Sequence, residues 1–243
     1  GVIDLNAARN INQQANVTSV GGAITADATT GAITMTDGVI TQTSGAGTIA
    51  YTAGTDVALS QLIGASTVDV TAGTAGVTGA ITDILTGEAA NITGTTATLT
   101  AITGIGSADD IDTNITTLDA TNTGTTGNIQ VNEIAAGGNI DVMDMSQTNA
   151  GGNGTILLTT EAGTIHVLAA GTGVTTAGTG TITLTAAGGT SDVLVDDVVT
   201  STTGEIEINA GQDITNTAVI SASGVGVIDL NAARNINQQA NVT

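Results

Sequence analysis

Proline, cysteine, lysine, phenylalanine and tryptophan are all absent from this chain. Each absence excludes something. Without cysteine there is no disulfide framework. With no lysine, and with Arg9 and Arg234 as the only arginines, little can neutralise phosphate, so no nucleic-acid partner is expected. Tyr51 is the only aromatic residue. A wide globular core would lack the large side chains that usually fill it, whereas a thin core along a rod has no need of them. Proline would remove a ladder hydrogen bond from a strand paired on both sides, so its absence fits such strands. No apolar run approaches the roughly 18 residues of a membrane span, so no membrane insertion is expected.

What remains is mostly small and β-branched. The 243 residues include 34 glycines; 40% are apolar, 10% are charged and the mean hydropathy is +0.31. That is too apolar and too weakly charged for a disordered chain. The net charge of −20 favours solubility, repulsion between copies and attraction of cations.

The chain opens with GVIDLNAARNINQQANVT, and the same eighteen residues return as Gly226–Thr243, an offset of 225. The expected organisation is one unit over 1–225, with 226–243 starting the next identical unit of a longer tandem chain. Arg9 and Arg234 are then the same repeat position. Within the unit a looser pattern, G-x-I-x-L-x-A, recurs as GVIDLNA (1–7), GAITADA (22–28), GTIAYTA (47–53), GNIQVNE (127–133), GTILLTT (154–160), GTITLTA (180–186) and GEIEINA (204–210). STVDVTA (66–72) and ANITGTT (90–96) are weaker members, and TATLTA (96–101) is an alternative strand in the long interval that follows. The spacing predicts about nine turns per 225-residue unit.

Each turn divides again. GEIEINA-GQDITNT-AVISASG holds three short runs with period-two alternation, separated by Gly, Asn, Asp and Thr. Period two with Ile, Val and Thr means strand, and the separators mean corners. Three strands per turn predict an all-β fold: a single parallel β-helix, or β-solenoid, with three-stranded turns. Alternation places Ile206 and Ile208 inside and Glu205, Glu207 and Asn209 outside. Tyr51 falls on an inward position.

GEIEINAGQDITNT and GVIDLNAARNINQQ resemble the β-strand-repeat regions of giant secreted bacterial surface proteins of the filamentous-haemagglutinin-like type. The resemblance covers nearly the whole chain. It implies a right-handed β-helix, export to the cell surface, and an elongated adhesive or filament-forming role. It carries over no catalytic residue.

Candidate sites are few. Catalysis by paired carboxylates usually needs a nearby cation to hold developing charge, and a unit with one arginine offers little, so no enzyme is expected. His166 faces outward between Ile165 and Val167 with no second histidine near it in sequence. Asp109, Asp110 and Asp112 form the densest acidic cluster, an oxygen-rich loop that could hold calcium; Asp196–Asp197 and Asp141/Asp144 follow. Glu207 and Asp229 occupy the same outward slot in consecutive turns, where like charges repel. Asn6, Asn10, Asn12 and Asn16 crowd the repeated stretch. No other cofactor is indicated. The expected function is a structural segment of an extracellular filament or giant surface protein, its partner being itself, end to end and in lateral bundles. The alternative is the stalk of a bacterial adhesin whose tip lies outside this stretch, any insertion falling within 68–128.

Overall fold

The computed structural model describes every residue except Val77. It is all-β, without a helix among the described residues, and winds about ten turns of a right-handed parallel β-solenoid. Every strand pairing among the described residues is parallel, as in Ile3–Ala7 on Ile24–Ala28 and Ile182–Ala186 on Ile206–Ala210. Parallel sheets are usually covered on both faces. Here only the inner face is covered, which is why the strands alternate. Ile206–Ala210 has Ile206, Ile208 and Ala210 buried, with Glu207 and Asn209 half-buried between them.

Three faces run along the rod. The first carries Ile3–Ala7, Ile24–Ala28, Ile49–Ala53 and Thr67–Ala72. The second carries Ile11–Gln13, Ile33–Met35, Val57–Leu59 and Ile81–Asp83. The third begins with Val17–Val20 and ends, at its tenth strand, with Ile228–Ala232. In-register pairing stacks like on like: Ile3, Ile24, Ile49 and Val68 in one column, Ile156, Ile182, Ile206 and Ile228 in another. Burying each such side chain stabilises by about 1.5–3 kcal/mol. The columns merge into one core from Ala26 to Ile220.

Tyr51 is inward, as its position demands, and 1% exposed. Its column neighbours are Ala26 and Val70, so the small alanine leaves room for the ring. The phenol donates to Gln13 Oε1 at 2.5 Å and lies 2.6 Å from Thr41 Oγ1. Burial pushes its pKa up to about 12. A buried hydroxyl needs such partners, and Gln13 and Thr41 are the inward polar residues that supply them.

The glycine of G-x-I has a steric cause. A Cβ on Gly180 would run into the carbonyl oxygen of Gly154, one on Gly204 into that of Gly180, and one on Gly226 into that of Gly204. Gly22 and Gly47 meet Gly1 and Gly22 in the same way. The turns approach too closely at the corner before each of these G-x-I strands for any side chain. Buried hydroxyls close the corner: Thr176 and Ser201 each donate to the Gly180 carbonyl at 3.0 Å, and Gly204 N–H donates to Ser201 Oγ at 2.8 Å.

The cross-section changes partway along. Ile105 and Ile111, six residues apart, pair with Ile129 and Val131, only two apart, in the next turn. The corner Gly106–Asp110 therefore has no counterpart above it, and the second face merges into the third. The turns containing Thr117–Asn122 with Ile129–Glu133, and Ile140–Gln147 with Ile156–Thr160, have two strands rather than the expected three. The third side returns when Ile140–Gln147 pairs with two separate strands, Ile165–Val167 and Gly173–Thr176. Met143, skipped in the register between Val142 and Asp144, opens into the corner at 168–172.

This rearrangement refines the turn count. The lead residues Ile3, Ile24, Ile49 and Val68 stack on the first face, whereas Ile92, Ile129, Ile156, Ile182, Ile206 and Ile228 lie on the third. The interval from Val68 to Ile92 crosses faces, and the interval from Ile92 to Ile129 contains an extra turn, marked by Ile111–Asn114. TATLTA is a strand, Thr96–Ala101, on the first face. From Ile3 to its counterpart Ile228 the chain winds nine full turns plus two faces.

Two substitutions test this packing. Gly180→Ala should lower stability by about 1–3 kcal/mol through overpacking, read as a drop in thermal midpoint, while Gly189→Ala, whose Cβ meets nothing, should leave it unchanged. Equal effects would remove the close-approach explanation. Tyr51→Phe should cost about 1 kcal/mol by removing the phenol's hydrogen bonds, although Gln13 Nε2 still donates to Thr41 Oγ1 at 2.8 Å, measured by denaturant midpoint; a neutral result would mean that the Gln13–Thr41 pair is satisfied without the phenol.

Candidate functional site

The two places where the cross-section changes are also where acidic side chains gather. At the first, the corner Gly106–Asp110 leads into the strand Ile111–Asn114. Asp109 is exposed, Asp110 half-buried and Asp112 2% exposed. The three expected together are thus split between water and core. The fold adds Asp83 and Glu88, which sequence proximity did not suggest.

Asn91 ties this region together. Wholly buried, it donates from Nδ2 to Asp83 Oδ1 at 2.6 Å and to the Ser60 carbonyl at 3.1 Å, and its Oδ1 accepts from Asp112 N–H at 2.9 Å. Asp112 Oδ1 receives Asn132 Nδ2 at 3.2 Å. Burial, then the charges of Asp110, Glu88 and Asp83, push the Asp112 pKa up to about 7, against the pull of Asn132. Burial also raises Asp83, with Asp109 and Asp110 adding to the rise. Among the described residues no three histidine, aspartate or glutamate side chains converge as a metal-holding set.

Glu133 is a second buried carboxyl. It accepts from Thr113 Oγ1 at 2.9 Å, Ile115 N–H at 3.0 Å and Ala135 N–H at 3.1 Å, yet burial still raises its pKa. The sequence carried the signal: Glu133 fills the inward slot of G-x-I-x-L-x-A that alanine takes in most members.

At the second transition, Asp119 and Asp144 are register neighbours. Asp144 accepts hydroxyls from Thr172 at 2.5 Å, Ser146 at 2.9 Å and Thr121 at 3.0 Å. Asp119 lacks those donors, and burial, followed by the charge of Asp144, raises its pKa. A pocket of about 240 Å³ lies between them, lined also by Met143, Ala170, Gly171 and Thr172. A larger one, about 520 Å³, is the open end of the core beside Ala210, Leu230 and Ile236.

His166 faces outward as expected but is half-buried and tied at both ring nitrogens. Nδ1 lies 3.2 Å from Asp141 and Nε2 3.0 Å from Asp196, so one imidazole spans three successive turns. The Thr217 hydroxyl first, then His166, holds the Asp196 carboxyl below its usual range. Glu207 and Asp229 are in register, as the repeat demands, with Asn209 donating to Glu207 at 3.1 Å.

Asp112 makes stability depend on pH in a defined direction. A carboxyl with a raised folded-state pKa binds its proton more tightly folded than unfolded. Its stabilisation is complete below the ordinary value of 3.8 and is lost as pH climbs to about 7. Asp83, Asp119 and Glu133 act in the same direction. The thermal midpoint should therefore fall between about pH 4 and pH 7, and Asp112→Asn should flatten part of that fall and raise the midpoint above that range. An unchanged slope in the variant would remove Asp112 as its source.

Any role for these groups has to come from their own geometry, because no protein-family model, curated protein or solved structure matches the chain.

Proposed function

We propose that the chain is a structural segment of a long filament or giant surface protein, built from tandem β-solenoid units. One observation carries this reading. The second copy of the repeated stretch lies on the turn before it as one more turn of the same rod, and the column Ile156, Ile182, Ile206 runs into Ile228 without a break. A core that passes from unit to copy unchanged can be extended indefinitely.

The mechanical logic follows from the pairing. Backbone hydrogen bonds between turns point along the rod, so axial load is shared by every bond of a turn. The net charge of −20 keeps neighbouring rods apart and lets divalent cations draw them into bundles. Such a rod suits the outside of a cell, in keeping with the motif-level resemblance to secreted surface proteins. The carboxylates are given no catalytic role, because no arginine or lysine stands beside the buried ones to hold a developing charge. The adhesin-stalk reading draws on the wide corners at 84–91 and 106–110, non-repeating outgrowths on which a binding surface could sit.

Cryo-electron microscopy of the native material tests the proposal. Rods should give a layer line near about 4.8 Å and, for nine turns plus two faces, an axial rise of about 46 Å per unit. Compact particles with closed ends would overturn it.

A further inference from the structure

The repeated eighteen residues are seen in two settings. As Gly1–Thr18 they carry a turn above them; as Gly226–Thr243 they rest on a turn below. They fold alike in both. Ile3–Ala7 and Ile228–Ala232 have the same alternating exposure, and the strands Ile11–Gln13 and Asn235–Gln238 cover matching positions. Each edge of the segment is therefore observed once, and together the two views describe the segment enclosed between turns.

The lower edge is specific. Ile228, Leu230 and Ala232 stack on Ile206, Ile208 and Ala210. Arg234 grips Asp213 with two hydrogen bonds, Nε to Oδ1 at 2.9 Å and Nη2 to Oδ2 at 2.5 Å. Asn235 donates its backbone N–H and its Nδ2 to the same carboxylate, each at 3.0 Å. Asn231 Nδ2 donates to Asn209 Oδ1 at 3.0 Å. Arginine, first of these partners, holds Asp213 below the usual carboxylate range.

The upper edge shares one of these side chains and adds two others. Asn10, the counterpart of Asn235, accepts Ala32 N–H on its Oδ1 at 3.0 Å. Asn16 accepts Ile40 N–H at 2.9 Å, and Asp4 accepts the Thr25 hydroxyl at 2.5 Å. One asparagine can donate downward and accept from above at once, so the two sets of bonds are compatible in a single copy. The Asn10/Asn235 position is thus a two-sided connector, while Asn231 and Asn237, the counterparts of Asn6 and Asn12, bond downward and Asn16 bonds upward.

The two copies do not lie on the same face. Ile3–Ala7 belongs to the fourteen-stranded sheet and Ile228–Ala232 to the ten-stranded one. The counterpart of Ile11–Gln13, which begins the second face, lies on the first. Resting on the reading of the chain as tandem units, we infer that Gly226–Thr243 shows how Gly1–Thr18 of each unit is seated on the unit before it, with Arg9 clasped by that unit's Asp213, and that each unit is turned by one face from the last. The ten-stranded sheet of one unit continues as the fourteen-stranded sheet of the next.

A two-unit chain, residues 1–225 followed by the full 243, tests the junction. In its electron cryo-microscopy map, Ile156, Ile182 and Ile206 of the first unit should continue into Ile3, Ile24 and Ile49 of the second. Amides of the inner copy should exchange at least about tenfold more slowly than those of either copy in the single chain, because both edges are now paired. Asp213→Asn in the first unit and Arg9→Gln in the second should each speed that exchange, and the pair together no further. A second unit in line with the first without the one-face turn, or an inner copy exchanging as fast as a free end, would overturn the inference. Additive effects of the two substitutions would overturn the clasp. A compact native particle would overturn the filament proposal and leave this junction standing; units stacked without the one-face turn would do the reverse.

Discussion

The spacing between turns, about 4.8 Å and set by backbone hydrogen bonds that run along the axis, governs every other feature of this rod. At that separation equivalent side chains must touch, so columns of Ile, Val and Leu form without any long-range folding of the chain back on itself. At the tightest corner even a methyl group is too large, and the glycines of G-x-I follow. The same spacing puts outward charges of successive turns into contact. The chain meets this with hydroxyls on Asp144, an imidazole between Asp141 and Asp196, and an arginine on Asp213.

Because each turn answers only to its neighbours, the cross-section is free to change locally. A corner present at Gly106–Asp110 is absent one turn later, and a single skipped residue, Met143, becomes a corner on the turn above. Backbone that leaves the ladder needs other partners, and strands that lose a side leave gaps that polar groups fill. Asn91, Asp112, Glu133 and the Asp119–Asp144 pair all lie at or next to these transitions. The raised proton affinities of Asp112, Asp119 and Glu133 are a consequence of fold irregularity. The same irregularity makes the 225-residue offset between the two copies of the repeated stretch a fractional number of turns and puts them in different sheets.

Much of the architecture was legible in the residues. Period-two runs named the strands, and the inward placement of Ile206, Ile208 and Tyr51 followed from parity alone. Glu133 was legible too, from its slot in the motif. Asn91 and Asp112 were harder. Asn91 sits in a weak motif member, and Asp112 reads as part of an exposed acidic loop until the pairing of Ile105 with Ile129 and of Ile111 with Val131 carries its strand inward. His166 was placed outward correctly, but its clasp needs Asp141 and Asp196 from the turns on either side.

Local pattern determined what one turn could see of itself: strand, corner, inside, outside, and the identity of the eighteen-residue ends. Those properties depend on side-chain period and on backbone sterics, which act within a few residues. Which residue stacks on which was decided only by the tertiary structure, since two runs a turn's length apart in sequence can lie on the same face or on different faces. Parity along a strand carries no information about which face that strand joins. Val68 and Ile92 read as equivalent leads, and only their ladder partners, Ile49 for one and Leu62 for the other, separate the first face from the third.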